Sequence, residues 1–219
     1  MKISPSILAA NLTRLSEALS KLNSEVTDFI HLDIMDGHFV PPLTFGEQLS
    51  TAIKKETSIP LDIHLMTAQP EKEIPKYYEL EPHNITFHYE AASFPIRLAQ
   101  EIRSKGIKAG IALNPATPVA VLNDIYTYFD LILIMTVEPG YYGQSFLSNG
   151  MQRLSEVMNL RQRLSEKTDH LPLIEVDGGV NAENAVSLRT INVDIAVAGS
   201  FVFKAEDYNT QIEILKGNI

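Results

Sequence analysis

Three runs in the chain carry polar side chains at spacings suited to chemistry. In His31-Leu32-Asp33-Ile34-Met35 a histidine, a carboxylate and a methionine recur every second residue, so on an extended strand all three face one way. Leu61-Asp62-Ile63-His64-Leu65-Met66 repeats the pattern, and Leu173-Ile174-Glu175-Val176-Asp177 ends in a carboxylate followed by Gly178-Gly179. Two imidazoles and two carboxylates, His31, Asp33, His64 and Asp177, form a four-ligand set for one divalent ion if the strands converge. Mixed nitrogen and oxygen ligands suit zinc, iron, manganese or cobalt, whereas magnesium and calcium favour oxygen alone. A lone strand histidine is more often a hydrogen-bonded core residue than a ligand. Four such groups at matching strand ends shift the balance toward a metal centre.

Those strands belong to a longer alternation. Short apolar segments near residues 3–8, 28–35, 60–66, 84–88, 108–113, 130–136, 172–177 and 193–198 alternate with charged segments of helical period, for example Leu12–Asn23, Pro70–Glu79, Pro95–Lys105, Met151–Lys167 and Asn181–Thr190. Eight such units predict an α/β fold, a (β/α)8 TIM barrel, as a single domain over residues 1–219. A doubly wound open sheet is the rival, but Ser4-Pro5-Ser6 stands where its glycine-rich fingerprint would follow the first strand. Barrels place their sites at the carboxyl ends of the strands, which puts Ser6, His31, Asp33, Met35, His64, Met66, His88, Glu90, Asn114, Met135, Asp177, Gly199 and Ser200 around one mouth. Met35, Met66 and Met135 read either as core filling or as an apolar wall over a reactive centre. Gly178-Gly179 and Gly199-Ser200 follow the last two strands, where barrels often hold a phosphate on backbone N–H groups. Gly140, Gly143 and Gln144, in the loop after the sixth strand, can close over the same group. His88 and Glu90 follow strand four and can brace the site, while His83 and His170 read as surface residues.

The chain has 219 residues, no cysteine and a formal charge of −9. No basic cluster suits a nucleic-acid partner, no apolar run approaches the ~20 residues that span a bilayer, and the N-terminus lacks the order of a signal peptide. A cytoplasmic protein acting on a small molecule is the expectation, with self-association left open.

Over nearly its whole length the chain resembles the ribulose-phosphate 3-epimerase family. The resemblance rests on Ser4-Pro5-Ser6-Ile7-Leu8, HLDIMDGHFVP at 31–41, DIHLM at 62–66, ALNPATP at 112–118, MTVEPG at 135–140, EVDGGV at 175–180 and VAGS at 197–200. It implies a metal-dependent isomerase of the pentose phosphate pathway that epimerises D-ribulose 5-phosphate to D-xylulose 5-phosphate through a cis-enediolate. It also implies His31, Asp33, His64 and Asp177 as ligands, with Asp33 and Asp177 doubling as acid and base. Ser6, Met35, Met66 and Met135 would line the reacting carbons, and Gly140, Gly143, Gln144, Gly178, Gly179, Gly199 and Ser200 would face the phosphate. Two positions depart from the family pattern. Tyr142 stands where a second loop glycine is usual, and a tyrosine there resists positive φ and adds bulk; Pro42 replaces a frequent asparagine. These departures bear on the substrate, so a 2-ketohexose phosphate such as D-allulose 6-phosphate is the sibling reading. A non-catalytic phosphosugar binder is a third. A lyase or decarboxylase built on a strand-end lysine is disfavoured, because Lys54, Lys108 and Lys204 do not fall at the carboxyl end of any expected strand.

Overall fold

The computed structural model describes residues 1–166 and 168–219. Its eight strands, β1 (Lys2–Pro5), β2 (Ile30–Met35), β3 (Leu61–Met66), β4 (Asn84–His88), β5 (Lys108–Leu113), β6 (Leu131–Met135), β7 (Leu173–Asp177) and β8 (Ile195–Ala198), are all parallel. They pair in the order β1-β8-β7-β6-β5-β4-β3-β2, and a parallel bridge between Ser6 and His31 brings the two ends of the sheet together. The result is the expected (β/α)8 barrel. Alternate residues of each strand face outward, and Ile63, Leu65, Phe87, Ile111, Ile132, Ile134, Ile174 and Val176 pack there against Ile53, Leu98, Ile102, Leu154, Val157, Leu188 and Ile212 of the surrounding helices.

Those helices are α1 (Leu15–Ser20), α2 (Glu47–Glu56), α3 (Pro70–Glu73), α4 (Pro95–Ser104), α5 (Gly150–Ser165), α6 (Ala182–Thr190), α7 (Ser200–Phe203) and α8 (Tyr208–Lys216). Local chemistry explains their ends. The Asn181 side chain accepts from the Glu183 and Asn184 N–H groups at the start of α6, and Asn184 bonds back in a capping box. Asp207 caps α8, which stops at left-handed Gly217. The helix expected over Pro70–Glu79 instead tightens to a 3-10 turn at Ile74–Leu80, because Pro75 has no N–H for an α-helical bond. Between β5 and β6 there are only 3-10 turns, Val119–Leu122 and Tyr126–Tyr128, after a stretch broken by Pro115 and Pro118. The first expected strand ends early, at Pro5, and Ile7–Ala9 forms a turn. Lys167, the last residue of the helix expected over Met151–Lys167, lies outside the described residues.

The barrel interior divides in two. On the β5, β6 and β8 side it is apolar, with Ala112, Leu131, Leu133, Met135 and Ile195 packed together. Against β1 to β4 and β7 it is polar and fully buried: Ser4, His31, Asp62, His64, Asn84, Thr86, His88 and Glu175. Gly110 makes the junction possible, since a Cβ there would lie 2.1 Å from Thr86 Oγ1.

Candidate active site

In-register pairing of β2 with β3 sets Asp33 beside His64 and Met35 beside Met66. His31 Nε2 lies 3.3 Å from Asp33 Oδ1 and 4.0 Å from Asp177 Oδ2, and His64 Nδ1 lies 3.4 Å and 3.8 Å from the same two oxygens. One ligand atom from each of the four residues thus falls within 4.8 Å of every other. Neither imidazole nitrogen has a hydrogen-bond partner, although both are buried. An unsatisfied buried polar atom costs about 1–3 kcal/mol, and a cation between the four groups would satisfy both. Metal–ligand bonds of about 2.0–2.2 Å in a tetrahedron give ligand–ligand edges of about 3.4 Å, close to the four distances observed. The residues fit a divalent ion.

Beneath this ring a second layer fixes its tautomers. Asp62 Oδ2 takes His31 Nδ1 at 2.6 Å and the Ser4 hydroxyl at 2.8 Å, and its Oδ1 accepts from Asn84 Nδ2 at 2.7 Å. A neutral His31 therefore carries its hydrogen on Nδ1, which leaves Nε2 as the atom available to a cation. Glu175 completes the layer. No donor faces either of its oxygens; burial, then the neighbouring Asp62, push its carboxyl well above the usual range, so Glu175 is a neutral acid whose own O–H faces Asp62. His31, Asp62 and Glu175 also lie close enough to group around an ion. With Asp62 already accepting three hydrogen bonds, they serve as support and not as a second metal centre.

The two acids of the upper ring differ. Burial raises Asp33, but the His31 and His64 imidazoles outweigh it and hold the carboxyl well below the carboxylate range, while the Ser6 hydroxyl donates to its Oδ2 at 2.5 Å. Asp177, more open to the cavity, is pushed up to about 7 by burial and then by the Asp33 charge. Burial lowers His31 as well, yet Asp62 and Asp33 reverse the sign and raise it; His64, mainly through burial, is lowered.

Above the ring opens a cavity of about 700 Å³. Ser6, Asp33, Met35, Met66, Met135, Asp177, Gly140, Gly143, Gln144, Gly178, Gly179, Gly199 and Ser200 all line it. His31 and His64 lie below its floor. Met35 and Met66 pack with Val40 against Leu8 and Phe39, forming an apolar wall. At the opposite end, Ser200 Oγ is without a partner. Gln144 donates its Nε2 to the Glu138 and Tyr141 carbonyls, so its amide nitrogen holds the loop in shape. Gly179, at φ +68, lets that loop approach: a Cβ there would sit 2.3 Å from Phe146 N. Tyr142 is not at positive φ; in this loop Gly140 and Gly143 take that conformation, so the tyrosine adds bulk without strain. Sequence reading left Asp62 and Glu175 without a role, although each lies two residues before a proposed ligand and so shares its face. His83 and His170 are half-buried, against Phe29 and bonded to the Phe129 carbonyl respectively.

The model of the ribulose-phosphate 3 epimerase family matches residues 2–203. Ribulose-phosphate 3-epimerase of Bacillus subtilis is 37% identical over 218 residues, covering 100% of this chain and 99% of that protein. That of Mycobacterium leprae is 40% identical over 214 residues, covering 98% and 93%. Among solved structures, 3-hexulose-6-phosphate synthase from Salmonella typhimurium matches with a TM-score of 0.71 at 12% identity, covering 99% of this chain and 97% of that one, a likeness of fold alone. No helix among the described residues is long and apolar enough to cross a membrane.

Proposed function

The chain belongs to the ribulose-phosphate 3-epimerase family, and from that premise we propose that it interconverts D-ribulose 5-phosphate and D-xylulose 5-phosphate with Asp33 and Asp177 as the acid–base pair. Membership makes it an epimerase, an isomerase serving the pentose phosphate pathway. The observation that carries the finer reading is the convergence of two carboxylates from non-adjacent strands on the same two imidazole nitrogens. Epimerisation removes a proton from one face of C3 and returns one to the other, so it needs one ionised and one protonated acid at the start. Asp33 from β2 and Asp177 from β7 are the two groups placed to take that proton and to return one, and their roles exchange for the reverse direction.

A divalent ion held by His31, Asp33, His64 and Asp177 would supply Lewis-acid stabilisation of the charge that develops as the proton leaves. Ser6, donating to Asp33 Oδ2, orients that carboxylate and leaves Oδ1 toward the ligand ring. Met35, Met66 and Met135 keep water from the reacting carbons, which strengthens electrostatic effects there. Gly178, Gly179, Gly199 and Ser200, with Gly140, Gly143 and Gln144 across the cavity, form the end that takes the phosphate through backbone N–H groups. A phosphorylated substrate and a chain without cysteine support a cytoplasmic setting.

The test is exchange of the C3 proton with D2O, followed by NMR on protein supplied with zinc, manganese, cobalt or ferrous ion. Asp33→Asn and Asp177→Asn are each expected to slow epimerisation by at least about a hundredfold. Absence of C3 exchange with every metal, or full activity in both variants, would overturn the proposal. The cavity's size and the bulk of Tyr142 favour a second substrate for comparison, D-allulose 6-phosphate, and a higher kcat/KM on that hexulose would reassign the substrate.

A further inference from the structure

A third buried imidazole, His88, lies behind the ligand ring and has no part in the steps above. Its Nε2 is 2.8 Å from His64 Nε2, and the ring centroids are 5.0 Å apart with planes inclined by 27°. That separation is what two imidazoles meeting edge to edge require, so the contact is an N–H···N hydrogen bond with one donor and one acceptor. For His64 to offer a bare Nδ1 to a cation, its hydrogen must be on Nε2. His88 Nε2 is then the acceptor, and the hydrogen of His88 lies on Nδ1. What faces that nitrogen is Glu90 Oε2, at 3.4 Å, with the Asn114 side chain, whose Oδ1 has no other partner, as a second and weaker contributor.

Glu90 is itself held in place. Its Oε1 accepts the Asn114 N–H at 2.8 Å and the Thr117 hydroxyl. The 114–117 segment is clamped in turn by Arg153 of α5, which donates to the Thr117 carbonyl at 2.7 Å and the Asn114 carbonyl at 3.0 Å. Phe39 closes the other side of His88, with ring centroids 4.7 Å apart. A line of contacts thus runs from α5 through the β5–β6 connection and β4 to the His64 ring on β3. His31 needs no such line, because Asp62 takes its hydrogen directly.

We infer that Glu90, acting through His88, is a positioning residue for His64: it draws the His88 hydrogen to Nδ1, which leaves Nε2 to accept from His64 and keeps His64 Nδ1 free as a ligand. The inference rests on the reading of His31, Asp33, His64 and Asp177 as a cation site. Glu90→Gln is the informative change. Its carbonyl oxygen must stay at the Oε1 position to accept from Asn114 and Thr117, which turns its NH2 toward His88 Nδ1. Two donors then oppose each other, His88 shifts its hydrogen to Nε2, and His64 is driven to carry its own on Nδ1, where it blocks the ligand atom. The Glu90 side chain is 22% exposed, so the substitution disturbs little packing.

The experiment titrates Co²⁺ into the metal-free full chain against a competing chelator, with the visible absorption of bound Co²⁺ as a second signal. Glu90→Gln is expected to weaken Co²⁺ binding about 10- to 100-fold and to alter the spectrum, while the thermal midpoint of the metal-free protein stays within about 2 °C. In a His88→Gln background, where an amide oxygen can accept from His64 without passing on the tautomer, Glu90→Gln is expected to cost less than about threefold. Equal losses in both backgrounds, or binding by Glu90→Gln within threefold of the parent, would overturn the positioning role. A parent protein that binds no Co²⁺ would instead overturn the cation site, and the inference with it.

Discussion

Replacing Asp62 tests whether the layer under the ring governs the site. Three donors converge on this carboxylate: His31 Nδ1 at 2.6 Å, Ser4 Oγ at 2.8 Å and Asn84 Nδ2 at 2.7 Å. Asp62→Ala leaves all three in a dry interior, at about 1–3 kcal/mol each. Part of this is returned because a buried charge is removed, so a net loss of about 3–5 kcal/mol is expected. Asp62→Asn behaves differently. Its oxygen can keep His31 and Ser4, and its NH2 can bond to Asn84 once that amide flips, because Asn84 Oδ1 is without a partner. What is lost is the charge on two hydrogen bonds, about 2 kcal/mol together. For a 219-residue chain the unfolding entropy is about 0.46 kcal/mol/K. Calorimetry on metal-free protein should therefore show a midpoint lower by about 7–11 °C for Asp62→Ala and about 4 °C for Asp62→Asn. Co²⁺ affinity should fall about 10- to 100-fold in the alanine variant, whose His31 is free to move its hydrogen to Nε2. An alanine variant that melts within 2 °C of the parent, or above the asparagine variant, would refute the assignment of Asp62 as the satisfied anchor of His31.

Two further outcomes follow from the same geometry. Asp177, raised to about 7, carries a proton below that pH which a cation must displace. His31, also raised, must likewise give up a proton to bind, so Co²⁺ affinity should rise at least roughly tenfold per pH unit up to about 7; a flat profile between about pH 5.5 and 8 would contradict this. Because the folded value lies above the unfolded one, this group's contribution to metal-free stability falls as pH rises from about 4 through 7, and Asp177→Asn should remove that slope. Gly179→Ala sets a Cβ 2.3 Å from Phe146 N at φ +68, which should displace the 138–147 loop at about 1–3 kcal/mol. KM for the sugar phosphate should rise at least about tenfold with Co²⁺ affinity unchanged, and an unaltered KM would argue against phosphate binding at this loop.

The barrel and the level of the site were legible because both depend on period-two spacing. In parallel strands paired without slippage, Asp33 and His64 fall opposite each other, as their place in each run implies. Asp62 and Glu175 obey the same spacing and were left without a role, because facing direction does not say which layer a residue occupies. That depends on the stagger between strands, a property of closure and not of any one segment. The same limit applies to His88: its register neighbour is Ala112 on β5, while His64 lies opposite Thr86 on β4, one layer lower. Only strand tilt brings the two imidazoles within bonding distance. Pro75, by contrast, is plain in the sequence and marks where the helix expected over Pro70–Glu79 shortens, while Pro115 and Pro118 precede a connection built of 3-10 turns. The site itself is what pairing leaves over. In the polar half of the barrel Ser4, Asp62 and Asn84 bond one another or His31, and one nitrogen each of His31 and His64 is used up in the same way. The remaining nitrogens, His31 Nε2 and His64 Nδ1, both face Asp33 and Asp177. Residue types alone cannot show that remainder, since each of these histidines could be satisfied at both nitrogens in another fold. The fixed partners below and behind the ring leave one open valence on each imidazole, directed at a common point.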